Sequence, residues 1–326
     1  MLPNQKKPIS IHDTSTCINN NTHDKKALTP PESLTLNYKK NSTSHQGVPI
    51  INPTTLYTTY PNNNITTPDS NVGKNTYWHH NMKFYYRFYG KNGFENNENA
   101  SNKDIYIAID NPYGSNERSK SYSIIRDRYN FLINYLNIPE ESRNFYEVIL
   151  GHQAQKPRFD IDADLTNIEN KQEIIDSTED VLNCLFDCIS EILLEHNIPY
   201  NRQINLLVFP SHGPNKRSYH VVIDGYCHLN NVEAKAFYQL VMEHIASKIT
   251  YNSDVIVIDP KVYSYLQCFR LFGSTKLGKN RIKRFDKALS RTRDPTIYTD
   301  LDNFYSYMIT AVEGCVYLPS FIKKTR

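Results

Sequence analysis

Three apolar runs in this chain carry polar residues at positions fixed by a period of two. Arg158–Ala163 contains Asp160 and Asp162, Ser218–Ile223 contains Ser218 and His220, and Val255–Ile258 ends at Asp259. An extended strand turns successive side chains to opposite faces. Asp160 and Asp162 therefore share one face while Phe159 and Ile161 fill the other. Such strands need a sheet with one face in an apolar core and one face free for charge. Asp164 continues the same parity, so Asp162 and Asp164 form an alternative pair. Asp160 and Asp162 are preferred because they lie deeper in the run.

Two carboxylates on one strand face, a third carboxylate and a histidine suit magnesium-dependent phosphoryl transfer. Hard cations take oxygen ligands and keep several waters, so two or three Asp suffice. Taken singly, each signal has an ordinary reading: a solvated acid near a strand end, a turn at Asp259-Pro260, a structural strand histidine. Their combination carries the inference. Lys216, Ser218 and His220 share a parity and would form a polar file suited to phosphate oxygens, with Arg217 and Tyr219 facing the other way.

The stretch after Asp259 adds cations. Arg270 stands between Phe269 and Leu271 on an apolar run, which predicts a buried or cleft guanidinium with an anionic partner. Lys276 follows in a Gly/Ser/Thr turn. Lys279, Arg281, Lys283, Arg284, Lys287, Arg291 and Arg293 then form a basic run with Asp286 the only acid within it. Such a run is usually a solvated face; beside a metal site it is a flank for a nucleic-acid backbone. Gly273 to Lys279 fits the GxxxxGK pattern of a phosphate-binding loop, but position 280 is Asn where that loop needs Ser or Thr for magnesium.

Residues 1–75 hold eight of the 17 prolines, Asn runs and no apolar periodicity. They predict a disordered tail that buries too little to offset its ordering entropy. Residues 76–326 are expected to form one domain, opening with the aromatic, basic stretch 76–100. Strands are expected at Ile105–Ile109, Tyr146–Leu150, Arg158–Ala163, Ile204–Phe209, Ser218–Ile223, Val255–Ile258 and Cys268–Phe272. Helical spacing covers Ile124 to Leu136 and Ile174 to Leu193, and Asn231 would cap a third helix. Tyr146–Leu150 and Arg158–Ala163 would be two strands joined by residues 151–157. The order ββ–α–ββ–α–ββ predicts an α+β sheet with helices on one face. The six cysteines include no CxxC, and Cys184 and Cys188 fall on one helical face as packing residues. A reducing compartment without structural zinc is expected. A net charge of +3 neither demands nor excludes nucleic acid. Neither a signal peptide nor a membrane span is expected, which predicts a soluble intracellular protein. Abundant Asn, Tyr, Ile and Lys are consistent with an AT-rich genome.

The ordered set resembles the archaeo-eukaryotic primase superfamily, in particular its PrimPol-like and large-DNA-virus branch. The resemblance rests on DxD (Asp160, Asp162), SxH (Ser218, His220) and a third carboxylate (Asp259), with the flanks FYEVILG, KRSYHVVI and VIDPKVY…FRLFGSTKLGK. It covers about residues 145–280, with weaker support down to 104. It implies an α+β primase core of mixed or antiparallel sheets with flanking helices and an RRM-like catalytic half. Asp160, Asp162 and Asp259 would ligate two Mg2+ or Mn2+ ions. Lys216, Ser218, His220, Arg270 and Lys276 would bind the nucleotide. The reaction would be templated attack of a 3′-hydroxyl on the α-phosphate of an NTP or dNTP on single-stranded DNA. A viral member would act in the nucleus or at a cytoplasmic replication site, with a replicative helicase in trans. A non-catalytic single-strand-binding replication factor and a metal-dependent nuclease are the alternatives. The chain departs from the family at Gln267, where relatives often carry a cation, and lacks their zinc and helicase modules.

Overall fold

The computed structural model describes residues 76–79, 82–85, 88, 104–111, 119–290 and 301–323. The chain divides into two units, Met1–Asn62 and Asn63–Arg326, and every described residue belongs to the second. The expected tail, much of the stretch 76–100, and Arg291 and Arg293 lie outside the described residues.

Two antiparallel sheets build the second unit. The larger takes β1 (Thr76–His79), β2 (Met82–Tyr85), β3 (Ile105–Asp110), β4 (Lys120–Ile125), β5 (Phe145–Leu150) and β11 (Leu266–Arg270), in the order β1-β2-β4-β3-β5-β11. The smaller takes β6 (Arg158–Asp164), β7 (Leu206–Pro210), β8 (Lys216–Ile223) and β10 (Ile256–Ile258), in the order β10-β6-β8-β7. A short parallel pair joins β9 (Tyr226–Cys227) to β12 (Val316–Tyr317). The α+β class with antiparallel sheets and flanking helices is thus as the sequence predicts.

Three details differ. Ile124 and Ile125 end strand β4, and the helix begins later, as α1 (Arg128–Asn137), capped by Asp127. Their spacing to Tyr129 mimics a helix across a strand end. Second, β5 and β6 are consecutive yet belong to different sheets. The chain leaves the larger sheet at Gly151, whose N–H donates to Tyr265 O at 2.6 Å, and joins the smaller after Pro157, whose carbonyl accepts from Ile223 N at 2.9 Å. Third, the cap of the last long helix is Asn230, whose side chain accepts from Val232 N at 2.9 Å and Glu233 N at 3.0 Å. Asn231 is the first helical residue and donates to Tyr263 O at 3.0 Å.

The helices α2 (Lys171–Glu195) and α3 (Asn231–Lys248) cover one face of the smaller sheet. From α2, Val181, Leu185, Ile189 and Ile192 are fully buried; from α3, Val241 and Ile245. They meet Phe159, Ile161, Tyr219 and Val221 of β6 and β8 in one core. Each such aliphatic side chain contributes about 1.5–3 kcal/mol of burial free energy. This burial turns the other parity of β6, with its acids, away from the helices. Cys184 and Cys188 pack within the same core.

Candidate functional site

Strands β6 and β8 are central in their sheet, and their register sets Asp160 opposite His220, Asp162 opposite Ser218 and Asp164 opposite Lys216. Cross-strand partners project to the same side. The first two islands of the sequence are therefore direct neighbours on one face. On the other flank of β6, β10 pairs Val257 with Asp162 and Ile258 with Ile161. The next residue, Asp259, donates its N–H to Asp160 O at 2.8 Å. Two segments far apart in the chain, β8 and the end of β10, converge on β6.

Each side chain on this face has a distinct environment. Lys216 Nζ lies 2.6 Å from Asp162 Oδ2. His220 Nε2 lies 3.5 Å from Asp160 Oδ1, and the imidazole stacks on Phe269 of β11 with ring centres 3.9 Å apart. Asp164 is exposed, and its Oδ1 accepts from Thr166 N at 2.9 Å, which gives it a turn-capping role. Asp259 Oδ1 accepts from Lys261 N at 2.9 Å and caps the 3-10 turn Pro260–Tyr263. Only its second oxygen is clear of that bond. Lys276 is exposed, and its charge is felt at His220 and Asp162.

Burial and charge split the two central acids. Burial pushes the Asp160 carboxyl up to about 6; nearby Asp162 and Asp259 reinforce this, against the pull of Lys283 and Arg270. For Asp162, burial is outweighed by the Lys216 ammonium, the facing Ser218 hydroxyl and Lys283, so its carboxyl titrates below the usual range. Burial, with Lys283 and Arg270 beside it, drives the His220 imidazolium well below its ordinary value. His220 is therefore neutral at physiological pH, a hydrogen-bonding group rather than a cation.

Two expectations are corrected. Arg270 is buried, but its Nη1 donates to the carbonyl of Arg281 at 2.8 Å rather than to an anion, and its Nε has no hydrogen-bond partner among the described residues. Lys283, expected on a solvated basic face, is 1% exposed, with Nζ 3.3 Å from Ser218 Oγ. The glycine turn explains its placement. Gly273 adopts φ 73°, a conformation natural to glycine, and the chain doubles back so that Gly273 N donates to Lys283 O at 2.8 Å.

Asp110 is a further residue that spacing does not reveal. Buried at the end of β3, it accepts from Tyr146 OH at 3.0 Å and Leu277 N at 2.9 Å, and pairs with Lys120. It thereby fastens the turn bearing Lys276 to the larger sheet. The acid at the end of an otherwise apolar strand was the only sequence signal.

Asp160 Oδ1 and Asp162 Oδ1 are both buried without a hydrogen-bond partner among the described residues. Buried polar atoms are rarely left so. Hard divalent cations take such oxygens, so this donor set fits Mg2+ or Mn2+. Among the described residues, no group of three or more His, Cys, Asp or Glu side chains is placed to hold a metal ion, so Asp160, Asp162 and Asp259 do not form a ready three-ligand set. A cation here would use the two Asp oxygens, water and a ligand's own oxygens.

No protein-family signature matches the chain. Its sequence is similar to proteins of African swine fever virus that carry the provisional name helicase/primase complex protein. The Kenyan pig isolate's protein is 28% identical over 212 residues, which cover 59% of this chain and 20% of that protein. The Badajoz strain's protein is 29% identical over 222 residues, again 59% of this chain and 20% of the relative. The chain thus spans about a fifth of the length of the relatives it matches. Among the described residues, no helix is long and apolar enough to cross a membrane.

Proposed function

We propose that this chain is the catalytic core of a template-directed nucleotidyltransferase of the primase or primase-polymerase kind, acting in viral DNA replication. The observation that carries this reading is the strand register: Asp160 faces His220, Asp162 faces Ser218, and Asp259 is bonded through its backbone to Asp160. The names of the African swine fever virus relatives and the primase-like motif order support the same reading. Its substrates are a single-stranded DNA template and NTPs or dNTPs. A replicative helicase, named together with primase in those relatives, is the proposed partner.

Asp160 and Asp162, joined by Asp259, would hold one or two Mg2+ or Mn2+ ions. Bound there, such ions supply charge neutralisation for the phosphates and acidify the attacking hydroxyl. The chain's own residues do the rest. Lys216, Arg270 and Lys276 present cations to the triphosphate, and the unpartnered Nε of Arg270 is a ready donor. His220, neutral and fixed by its stack on Phe269, orients a phosphate oxygen through a hydrogen bond without adding charge. Residue order on β6 and β8 keeps the acids beside the phosphate-binding groups, so the 3′-hydroxyl oxygen and the α-phosphorus meet with little reorganisation. The new bond forms from that oxygen to phosphorus, and the bond to pyrophosphate breaks.

The test is incorporation of labelled nucleotides on a primed and an unprimed single-stranded template with Mn2+. Wild type should extend, and the D160A/D162A double variant should lose incorporation by at least about a thousandfold. Equal extension by that variant sinks the reading. Wild-type binding of single strands without any incorporation would favour the binding-factor alternative. Shortening of labelled DNA without nucleotides would favour the nuclease.

A further inference from the structure

Two guanidiniums meet at one backbone carbonyl and leave buried donors unused. Arg270 Nη1 donates to Arg281 O at 2.8 Å. Arg270 Nε and Arg281 Nη1 are both buried without a hydrogen-bond partner among the described residues. The Arg281 side chain makes no hydrogen bond or ion pair at all among them. A guanidinium carries five N–H donors and no acceptor, so each unused buried donor costs about 1–3 kcal/mol until an acceptor arrives.

The structure also fixes where Arg281 stands. Buried Thr275 accepts from Arg281 N at 3.1 Å and donates to Lys279 O at 2.6 Å, which closes the turn. The Arg281 stem lies on Gly213, where a Cβ would come within 2.8 Å of Arg281 Cδ. Gly213 extends the line of β7 and exchanges backbone bonds of 2.9 and 3.2 Å with Lys216 of β8. Lys216 Nζ in turn holds Asp162 at 2.6 Å. Across this end of the smaller sheet the order is therefore the acids of β6, Lys216, then Gly213 with Arg281 on it. Neighbouring strands lie about 4.8 Å apart, so Gly213 is one such step further from the acids than Lys216.

We propose that Arg281 and Arg270 clasp the terminal phosphate of the incoming nucleoside triphosphate and set the preference of the site for triphosphate over diphosphate. This rests on the nucleotidyl-transfer reading, which puts the α-phosphate at Asp160 and Asp162. The remaining phosphates then run across Ser218 and Lys216 toward Gly213. Arg281 stands at the end of that line, and Arg270 reaches it from the larger sheet. Paired guanidinium forks give parallel bonds to phosphate oxygens, which an ammonium cannot. A nucleic-acid backbone offers similar oxygens. A terminal phosphate, however, carries about two negative charges against one for a backbone diester, and so suits two adjacent guanidiniums better.

The experiment measures affinities of the full chain, by calorimetry in Mg2+ for dATP and dADP and by fluorescence anisotropy for an oligo(dT) strand. Wild type should bind dATP about tenfold tighter than dADP. R281M should weaken dATP about tenfold and change dADP and oligo(dT) by less than about threefold. R281K keeps the charge without the fork and should lose an intermediate amount. Equal losses for dATP and dADP, or none, overturn the inference, as does wild type without a preference for dATP. Loss confined to oligo(dT) assigns Arg281 to a nucleic-acid backbone and overturns it as well. If R281M does not fold, G213A reads the same contact: its methyl group displaces the Arg281 stem, and dATP must weaken by at least about threefold with dADP unchanged. The two readings fail separately. Wild type that prefers dATP but incorporates no nucleotide sinks nucleotidyl transfer and leaves a triphosphate-binding clasp. Wild type that incorporates nucleotides while R281M binds dATP equally well sinks the clasp alone.

Discussion

The two sheets bury carboxylates in opposite ways. In the larger sheet, Glu147 of β5 is 1% exposed and accepts from Ile309 N, Thr310 N and Thr310 Oγ1, all within 2.7 Å. Asp110 of β3 is likewise surrounded by Lys120, Tyr146 and the Leu277 N–H. In the smaller sheet, Asp160 and Asp162 each keep a buried oxygen with no hydrogen bond among the described residues. A saturated buried acid spends its interactions on the fold, and here both of them fasten segments from elsewhere in the chain. An unsaturated one leaves interactions for a ligand at some cost in stability.

This contrast can be broken most decisively by exchanging roles. D160A/D162A should remove nucleotide incorporation by at least about a thousandfold while leaving the unfolding midpoint within a few degrees or raising it. A collapse of the fold, measured by thermal unfolding, would place these acids with Glu147 as structural. Glu147→Ala should do the reverse. It leaves three donors around residues 309 and 310 unpaired, and denaturant unfolding should show a loss of about 3–5 kcal/mol.

The raised carboxyl of Asp160 sharpens the contrast through pH. Its folded value of about 6 exceeds the ordinary 3.8, so the folded state favours the protonated acid. Ionising Asp160 therefore costs stability, an effect absent below about pH 4, growing as pH rises toward 6 and complete above it. D160N should remove this penalty and add about 1–3 kcal/mol at pH 7.5, with no gain near pH 3.5, in urea titrations at the two pH values. By the same linkage, Mn2+ affinity should fall about tenfold per pH unit below 6 as the cation competes with the proton. A pH-independent affinity between 5 and 6 would detach Asp160 from the cation.

The smallest effect belongs to the start of α1. Arg128 pairs with Glu313 through two bonds of 2.7 and 2.8 Å, both side chains being well solvated. Glu313→Gln should change unfolding free energy by less than about 1 kcal/mol, and less still in high salt. A larger loss would mean that this pair, like Glu147, anchors the C-terminal segment.

Much of the site was legible because a strand's period of two is rigid. The faces of Asp160, Asp162, Ser218 and His220 follow from parity, and so does the burial of Phe159, Ile161, Tyr219 and Val221. Lys283 was not legible, since no local period marks which residue of a basic run turns inward. Its direction is set by the glycine turn at 273 and by backbone bonds to β7. The true anchor of Arg270 was hidden for the same reason, being a carbonyl, which every residue owns. The division into two sheets was also invisible, because β5 and β6 are consecutive strands and only their hydrogen-bonding partners assign them to different sheets.

The sequence by itself determined the α+β class, the strands and helices that carry the motifs, and which side chains share a face, because these depend on local periodicity and apolar burial. The tertiary structure decided that Asp160 stands opposite His220 and Asp162 opposite Ser218, that Asp259 lies one backbone hydrogen bond away, and that Lys283 is buried against Ser218. Register and inward direction come from pairing between segments dozens of residues apart, and no local pattern contains that information.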